Sequence, residues 1–292
     1  MSDAPNQTMS PTIIDGRAMA AAGRAVLKSE VAGLRERGAT PHLAVVVLGD
    51  DLSARAYIRG IERTAAAVDV RCTVHRLESS TTIVELTAVL DMLGAAEDVH
   101  GIIVQAPLPA GLDLATAGMH VAVAKDVDGV NPTSAGRLLL GLPSYPPATA
   151  TAVMEAVRAA GVNLRGARTV VIGRSAIVGK PVALLLLRED ATVTLCHSRT
   201  ADLPGRAREA DLLVVAVGRA RLVGADYVKP GAVVIDVGIN DLDGQMVGDV
   251  DFDAVAPLAA AITPVPGGIG PLTNVMLLRN TVAACRALTG LE

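Results

Sequence analysis

A glycine-containing turn between an apolar run and a helix-like segment is the first place where residue types and spacing could do chemistry. The run TVVI leads into the segment GRSAIVGKP, which begins at Gly173. A strand, a glycine turn and a helix together present backbone N–H groups and a helix N-terminus to a phosphate. The spacing is G-x-S-x-x-x-G instead of G-x-G-x-x-G, so a plain structural turn is the alternative. Gly173, Arg174 and Ser175 are therefore candidate phosphate contacts.

The end of the next apolar run indicates which dinucleotide would bind. Proteins that bind NAD often place an acid roughly 20 residues after the glycine turn, where it accepts from the ribose 2′-hydroxyl. This chain has His197, Ser198 and Arg199 there, and no acid. The guanidinium groups of Arg174 and Arg199, with a hydroxyl, suit a 2′-phosphate better, because they pair with phosphate oxygens. We therefore predict NADP as the cofactor; the alternative is that both arginines are solvated loop charges.

Two later strand ends offer further cofactor contacts. Val217 and Gly218 follow one aliphatic run, and Ile239 follows the next, within VIDVGIN. In an open parallel sheet the ligand crevice lies at the carboxyl ends of the strands. We expect these residues to face the nicotinamide half of the cofactor, unless their glycines are plain turn residues.

Four other patches carry polar or turn residues that could form a second binding site. They are YIRGI, VQAPLP, KDVDG and TPVPGGIGPLT. Taken singly, each has a structural explanation: a half-buried helix tyrosine, a strand-end amide, an Asx turn and a rigid proline–glycine loop. Their candidate site residues are Tyr57, Gln105, Asp128, Pro266, Gly267, Gly268 and Thr273.

In this order, with GRSAIVGKP between the third and the fourth, the patches resemble the methylenetetrahydrofolate dehydrogenase/cyclohydrolase family. The resemblance runs from Ile14 to the final helix and is most specific in TPVPGGIGPLT and VIDVGIN. It implies a catalytic cleft between an N-terminal α/β folate domain and a Rossmann-type NADP domain, with the C-terminal helix returning to the first domain, and a homodimer. It also implies hydride transfer from 5,10-methylenetetrahydrofolate to NADP in one-carbon metabolism, and then addition of water to give 10-formyltetrahydrofolate.

The resemblance further implies roles for the candidate residues, with Tyr57, Gln105 and Asp128 as the catalytic set. Tyr57 would stack on or orient the folate ring system, and Gln105 would lie by the one-carbon centre. Asp128 would accept charge-assisted hydrogen bonds from the pterin amino and ring N–H groups. Gly267 and Gly268 would let the backbone approach the ligand closely. The implied cofactor contacts are Gly173, Arg174, Ser175, Ser198 and Ile239.

One position departs from the family motif in a way that bears on chemistry. The motif reads Tyr-x-x-x-Lys, which puts both side chains on one helix face, whereas the fourth residue after Tyr57 is Ile61. The resemblance ties the lysine to the water-addition step, and isoleucine has no proton to move. Hydride transfer depends mainly on holding the methylene carbon against the nicotinamide. We therefore predict that the dehydrogenase step survives and the cyclohydrolase step is weak or lost.

Smaller departures leave two alternatives open. Ala106, residues 148–151 and Asn274 also differ from the common family pattern, and with Ile61 they would line the folate side. One alternative is a specialised relative that uses NADP on a modified folate or another one-carbon iminium precursor. The other is a fully bifunctional enzyme despite Ile61. A relative without catalysis and a shikimate-dehydrogenase-like enzyme explain the intact patches less well.

The elements that must position these residues alternate between helix and strand. Aromatic residues are nearly absent, with one Phe and no Trp, so the core must be aliphatic, as in a buried parallel sheet covered by helices. A Gly-, Pro-, Ser- and Thr-rich stretch at 125–151 indicates a domain boundary. We predict a folate-binding domain at 1–147 plus 272–292 and an NADP domain at 148–271. The predicted strands are 42–48, 70–77, 101–105, 169–172, 192–196, 212–217, 233–237 and 260–264.

Composition excludes several function classes. A net charge of −4 provides no basic field for nucleic acid or an anionic membrane surface. The polar N-terminus does not read as a signal peptide, and no apolar run is long enough to span a bilayer. The three cysteines lie far apart with no metal-ligand spacing. We expect a cytoplasmic enzyme without a metal site.

Overall fold

The computed structural model describes residues 11–291, which fall into two compact units. Residues 18–148 and 273–291 form one unit, which we call the three-stranded unit after its sheet. Residues 11–17 and 149–272 form the other, which we call the six-stranded unit. The two-domain α/β prediction is confirmed.

The secondary structure alternates between strand and helix through most of the described chain. The strands are β1 Thr12–Ile13, β2 His42–Leu48, β3 Arg71–Leu77, β4 Gly101–Val104, β5 Arg168–Ile172, β6 Thr192–Cys196, β7 Leu212–Val215, β8 Val233–Asp236, β9 Asn240–Leu242, β10 Gln245–Val247 and β11 Ala261–Ile262. The helices are α1 Gly16–Glu36, α2 Leu52–Ala67, α3 Ile83–Ala95, α4 Leu114–Gly118, α5 Pro132–Leu139, α6 Ala148–Ala159, α7 Gly179–Arg188, α8 Leu203–Ala207, α9 Phe252–Val255 and α10 Ile269–Thr289. Short 3-10 helices cover Val123–Lys125 and Ala225–Tyr227.

The three-stranded unit is built on a parallel sheet in the order β3-β2-β4. The central strand β2 is buried along its whole length, as expected for a strand covered on both faces. Helix α3 packs on this sheet through Leu86 and Leu90. Its N-terminus carries a capping box, in which Thr82 and Glu85 satisfy each other's backbone N–H groups.

The C-terminal helix α10 belongs to the three-stranded unit from Thr273 onwards, which confirms its predicted return. Its Asn280 side chain donates from Nδ2 to the carbonyl oxygens of Val127 (2.9 Å) and Pro146 (3.0 Å). A buried amide nitrogen with two carbonyl partners is satisfied. The helix therefore holds the two ends of the chain segment that runs from Val127 to Pro146.

The six-stranded unit is a parallel sheet in the order β1-β11-β8-β7-β5-β6. From β5 the chain order runs outward to β6 on one side and to β7, β8 and β11 on the other, so the strand order reverses between β5 and β7. Such a reversal defines the switch point of a doubly wound sheet. A core of Val, Ile, Leu and Ala, including Val170, Leu213 and Val234, packs on one side of this sheet.

The structure differs from the predicted division at the N-terminus. The prediction placed residues 1–147 together, but Thr12–Ile13 pairs in parallel with β11 and extends the six-stranded sheet. A two-residue strand gives no periodic pattern, so the sequence could not reveal it. Residues 1–10 of the predicted domain lie outside the described residues.

Two elements formed where a loop or no element was expected. Helix α5 lies inside the Gly- and Pro-rich stretch, and it starts because Asn131 accepts from the Thr133 N–H (2.7 Å) and Pro132 takes the first helical turn. Strands β9 and β10 form an antiparallel hairpin. Its turn residues Asp243 and Gly244 both have positive φ, as a type I′ turn requires.

Among the described residues, no helix is both long enough and apolar enough to cross a bilayer.

Candidate active site

Gly173 turns the chain at the carboxyl end of β5, in a conformation that favours glycine. Its φ is +131°, and a Cβ there would lie 2.1 Å from the carbonyl oxygen of Ala216, just after β7. Its N–H donates to the carbonyl oxygen of Cys196 at the end of β6 (2.9 Å). The ends of β5, β6 and β7 therefore meet at Gly173, at the switch point where such sheets bind ligands.

Ser175 shapes the turn that leads from Gly173 into α7. Its Oγ accepts from the backbone N–H groups of Val178 (3.1 Å) and Gly179 (3.3 Å). A hydroxyl that accepts in this way still has its own proton to donate. The predicted phosphate contact from Ser175 is therefore compatible with its role in the turn.

Arg174 and Arg199 are exposed cationic side chains on the turns that follow β5 and β6. Arg174 follows β5, while Ser198 and Arg199 follow β6; all three are exposed. His197 closes the second turn, because its N–H donates to Thr200 Oγ1 (2.9 Å) and its Nδ1 accepts from the Arg199 N–H (3.1 Å). Two guanidinium groups and a hydroxyl on adjacent turns fit a ribose that carries a phosphate.

Two buried carboxylates organise the loops after β7 and β8, and sequence reasoning missed both. Asp249 accepts from the N–H groups of Val217 (2.6 Å), Gly218 (3.0 Å) and Arg219 (2.8 Å). It holds the loop in which Val217 and Gly218 are candidate cofactor contacts. Nothing in the sequence around Asp249 marks it as a loop-binding group.

Asp236 does the same for the loop that carries Ile239. It accepts from the N–H groups of Gly238 (2.9 Å), Asp249 (3.0 Å) and Val250 (2.9 Å). Burial, with the charge of Asp249, raises the pKa of Asp236 to about 6. Ile239 itself is 60% exposed. One sequence feature could have predicted the buried role of Asp236: it is an acid at the end of an otherwise aliphatic strand, inside the motif VIDVGIN.

The loop with Pro266, Gly267 and Gly268 belongs to the six-stranded unit, and packing explains its glycines. Gly267 has φ +114°. A Cβ on Gly268 would lie 2.6 Å from the Pro264 carbonyl oxygen, and one on Gly16 would lie 1.7 Å from the Gly268 carbonyl oxygen. These glycines let the start of α1 pack directly on the loop. Their predicted contact with folate stays a prediction.

In the three-stranded unit, helix α2 carries Tyr57 and Ile61 one turn apart. The helix begins where Asp51 accepts from the Ala54 N–H (2.9 Å). Tyr57 is half-buried, whereas Ile61 is 0% exposed. Ile61, one helical turn after Tyr57, is therefore an aliphatic core residue.

Asp128 lies close enough to Tyr57 for its charge to act on the phenol. Burial and that charge raise the pKa of Tyr57 above its usual value. The Asp128 carboxylate accepts from the Ala148 N–H (2.9 Å), and burial raises its pKa to about 6. At neutral pH the pair is a protonated phenol beside a carboxylate that is still mostly ionised.

Gln105 directly follows β4, at the carboxyl end of this strand. Its N–H donates to the Val46 carbonyl oxygen (2.8 Å), and its side chain donates to the Ala106 carbonyl oxygen (2.6 Å). Asp126 bridges Ile102 of β4 in parallel, so Asp128, two residues on, lies beside the carboxyl end of β4. Tyr57 lies in α2, the helix that follows β2. It therefore lies with Gln105 and Asp128 at the carboxyl end of the sheet.

Buried polar side chains hold the Asp128 loop in place. Asp126, which is fully buried, accepts from the N–H groups of Val130 (3.0 Å) and Asn131 (2.9 Å). Asn131 donates from Nδ2 to the Val121 carbonyl oxygen (2.9 Å). With Asn280 these are supporting residues that the sequence did not reveal. Thr273 is buried in the part of α10 that belongs to this unit.

Nearly the whole chain matches known proteins of one family. Residues 14–128 match the catalytic domain of tetrahydrofolate dehydrogenase/cyclohydrolase, and residues 147–289 match its NAD(P)-binding domain. The bifunctional protein FolD of Parafrankia sp. is 59% identical over 93% of this chain and 98% of that protein.

Solved structures agree as well. The bifunctional dehydrogenase/cyclohydrolase FolD of Campylobacter jejuni has a TM-score of 0.92 at 40% identity, over 94% of this chain and 99% of that one. The enzyme of Trypanosoma brucei, solved with NADP and an inhibitor, has a TM-score of 0.92 at 39% identity, over 97% of this chain and 99% of that one. Sequence and fold lead to the same conclusion: this chain belongs to the tetrahydrofolate dehydrogenase/cyclohydrolase family.

Proposed function

We propose that the protein oxidises 5,10-methylenetetrahydrofolate to 5,10-methenyltetrahydrofolate by hydride transfer to NADP in one-carbon metabolism. The main support is the Tyr57–Asp128 pair at the carboxyl edge of the three-stranded sheet, in a chain whose relatives over nine tenths of its length are named for this family. The direct test is simultaneous growth of the reduced-cofactor and methenyl absorbances when purified protein meets methylenetetrahydrofolate and NADP. Absence of both signals would overturn the proposal.

The residues of the three-stranded unit bind and orient the folate. The Asp128 carboxylate accepts from pterin N–H groups, and a charged acceptor makes each of these bonds stronger than a neutral one would. Tyr57 keeps its proton at physiological pH, as a tyrosine ordinarily does, and its raised pKa strengthens that preference. It can therefore stack on the ring or donate to it. Gln105, at the end of β4, lies by the one-carbon centre.

NADP, when bound, accepts hydride from the methylene carbon, and the six-stranded unit supplies the groups that hold it. The Gly173 turn carries the chain into α7 at the switch point of the sheet, and Ser175 can donate to phosphate oxygens there. Arg174, Ser198 and Arg199 supply the positive and polar surface for the 2′-phosphate. We assign Val217, Gly218 and Ile239 to the nicotinamide side, and His197 to the support of its turn.

The preference for NADP has a separate test. The variants Arg174→Ala and Arg199→Ala should each lower kcat/KM for NADP by roughly tenfold to a hundredfold, since a charged hydrogen bond contributes roughly 1.5–3 kcal/mol. They should leave kcat/KM for NAD nearly unchanged. Arg188→Ala, at the other end of α7, is the matched control. Equal losses with both cofactors would contradict the assignment.

We also propose that the second family activity, hydrolysis of the methenyl product, is weak or absent in this chain. Ile61 is an apolar core residue with no proton to donate or accept. The relatives are named bifunctional, so a chain without this step would differ from them in activity. The methenyl absorbance should persist after oxidation and decay no faster than in buffer. A bifunctional enzyme that hydrolyses by another group is the alternative outcome of this test.

A specialised relative acting on a modified folate or another one-carbon iminium compound is the second candidate. It is favoured by the apolar Ile61 and the polar Asn274 on the folate-binding unit. Absence of turnover with methylenetetrahydrofolate, together with tight NADP binding, would favour it.

We further propose a homodimer, supported by the exposed Leu242 (39%) and Met246 (52%) on the β9–β10 hairpin. Light scattering should give twice the mass of the chain.

A further inference from the structure

Two buried carboxylates lie beneath the loops that we assign to the nicotinamide half of NADP. Asp249 is 0% exposed and Asp236 is 3% exposed. The loop after β7 covers Asp249, because the N–H groups of Val217 and of the exposed Gly218 bond to its carboxylate. A Cβ on Gly238, in the loop after β8, would lie 2.2 Å from the Asp249 carboxyl carbon. The Asp249 carboxylate therefore lies one layer of backbone below the surface, at the carboxyl ends of β7 and β8.

Neutral groups supply every hydrogen bond that these two carboxylates accept within residues 11–291. Asp249 accepts from three backbone N–H groups and from Asn240 Nδ2 (2.9 Å), and Asp236 accepts from three other backbone N–H groups. Because each N–H points its positive end at a carboxylate, its peptide dipole directs the negative end away and does not cancel the negative charge on the far side. Arg219 and Arg221, later in the β7 loop, are exposed, so water screens their charges more strongly than those of the buried pair.

The carboxyl edge of the six-stranded sheet therefore carries charges of opposite sign on its two sides. Arg174 and Arg199 stand on the turns after β5 and β6, whereas the carboxylates lie beneath the loops after β7 and β8. Burial raises the pKa of Asp236 to about 6, so this group is still mostly ionised at neutral pH. NADP has the complementary distribution, with phosphates at one end and a positively charged nicotinamide ring at the other.

We propose that Asp249 and Asp236 make the site prefer NADP to NADPH, because their negative potential attracts the positive charge of the oxidised ring. The inference rests on the proposed function, which assigns the loops after β7 and β8 to the nicotinamide half. Hydride transfer breaks a C–H bond of the methylene carbon and forms one at the nicotinamide ring, and both electrons move with the hydrogen. The ring becomes neutral and the folate product positive. The attraction is then lost, which favours release of NADPH.

Calorimetric titration of the purified protein with NADP and, separately, with NADPH measures this preference without any turnover. Wild type should bind NADP about tenfold more tightly than NADPH. One unit charge that acts across a layer of backbone, at an effective dielectric constant of about 20, changes an affinity by roughly that factor. Binding of NADPH as tight as that of NADP, or tighter, would overturn the inference.

A neutral variant separates the charge from the structural role of the carboxylate. Asp249→Asn should weaken the binding of both cofactors, because the loop loses good acceptors, and it should also lower the ratio of the NADPH to the NADP dissociation constant at least about threefold. A purely structural role would weaken both equally and leave the ratio unchanged. Asp236→Asn is the second neutral variant and serves if Asp249→Asn does not fold. An unchanged ratio in a folded neutral variant contradicts the inference.

Asp211→Asn is the matched control. Asp211 also accepts a backbone N–H, that of Arg168 (3.0 Å), but it lies at the amino end of β7. Its removal takes one negative charge from the same sheet at the opposite end, so the ratio should stay at the wild-type value. A fall as large as that in Asp249→Asn would show that the position of the charge does not matter and would also overturn the inference.

Failure of the proposed function can be told apart from failure of this inference. If the wild-type protein binds both cofactors but does not oxidise methylenetetrahydrofolate, the proposed function fails, and the ratio of the two dissociation constants still decides the inference. If it oxidises the folate but binds NADPH as tightly as NADP, only the inference fails. Binding of neither cofactor overturns both.

Discussion

Replacing Ile61 with lysine should give the protein the second activity at a moderate cost in stability. Ile61 is 0% exposed, and burying such a side chain stabilises a protein by roughly 1.5–3 kcal/mol. A lysine stem retains part of this contribution and can carry its ammonium towards the half-buried Tyr57, one turn earlier. We expect a net loss of about 2 kcal/mol, and hence a Tm lower by about 5 °C.

The gain should appear in the hydrolysis of methenyltetrahydrofolate. A correctly placed proton-transfer group contributes about 10²–10⁴-fold in rate, so Ile61→Lys should clear the methenyl absorbance at least about a hundredfold faster than wild type. Ile61→Met, which introduces no titratable group, is the matched control. It should leave the hydrolysis rate unchanged and change the free energy of unfolding by no more than about 1.5 kcal/mol. Hydrolysis by the lysine variant at the wild-type rate, with oxidation intact, would refute the reasoning.

Three further predictions follow from the same structure. Gly173→Ala should lower Tm and weaken NADP binding in calorimetry, because its Cβ would lie 2.1 Å from a carbonyl oxygen; an unchanged NADP affinity would contradict this. Asp128 has a pKa of about 6, so kcat/KM for the folate should fall as pH drops through 6, and Asp128→Asn should be lower at neutral pH and lose that dependence. Burial lowers the pKa values of His42 and His100 below 6.5, so the folded state resists protonation and Tm should fall as pH decreases below about 6.5. His100→Asn should reduce that fall, and an equal fall in the variant would argue against the histidines.

The long aliphatic strands could be predicted because they carry a strong local signal. Strands β2 and β6 have the predicted bounds, since continuous apolar runs between turn residues leave little choice. Strand β1 has two residues and pairs with β11, which is distant in the chain. Strands β9 and β10 pair with each other across Asp243 and Gly244, but each has three residues, too few to show a periodic pattern. Helix α5 was hidden by composition, because Asn131 and Pro132 read as loop residues although both are favourable at a helix start.

The candidate site was predictable where a motif carried it and not where support came from tertiary contacts. Tyr57, Gln105, Asp128 and the Gly173 turn stand in recognisable segments. Asp249 gathers three backbone N–H groups from a loop some 30 residues earlier in the chain, a relation that no local pattern encodes. Likewise, the Asn274 side chain lies against Gly60 only because α10 packs on α2.

The functional importance of Ile61 is tested most directly by one rate. Purified wild-type protein is given methenyltetrahydrofolate, and the loss of its absorbance is compared with the spontaneous loss in the same buffer, in parallel with an assay of NADP-dependent oxidation of methylenetetrahydrofolate. We expect oxidation to be enzymatic and the methenyl decay to match the buffer. Enzymatic hydrolysis that keeps pace with oxidation would contradict the account.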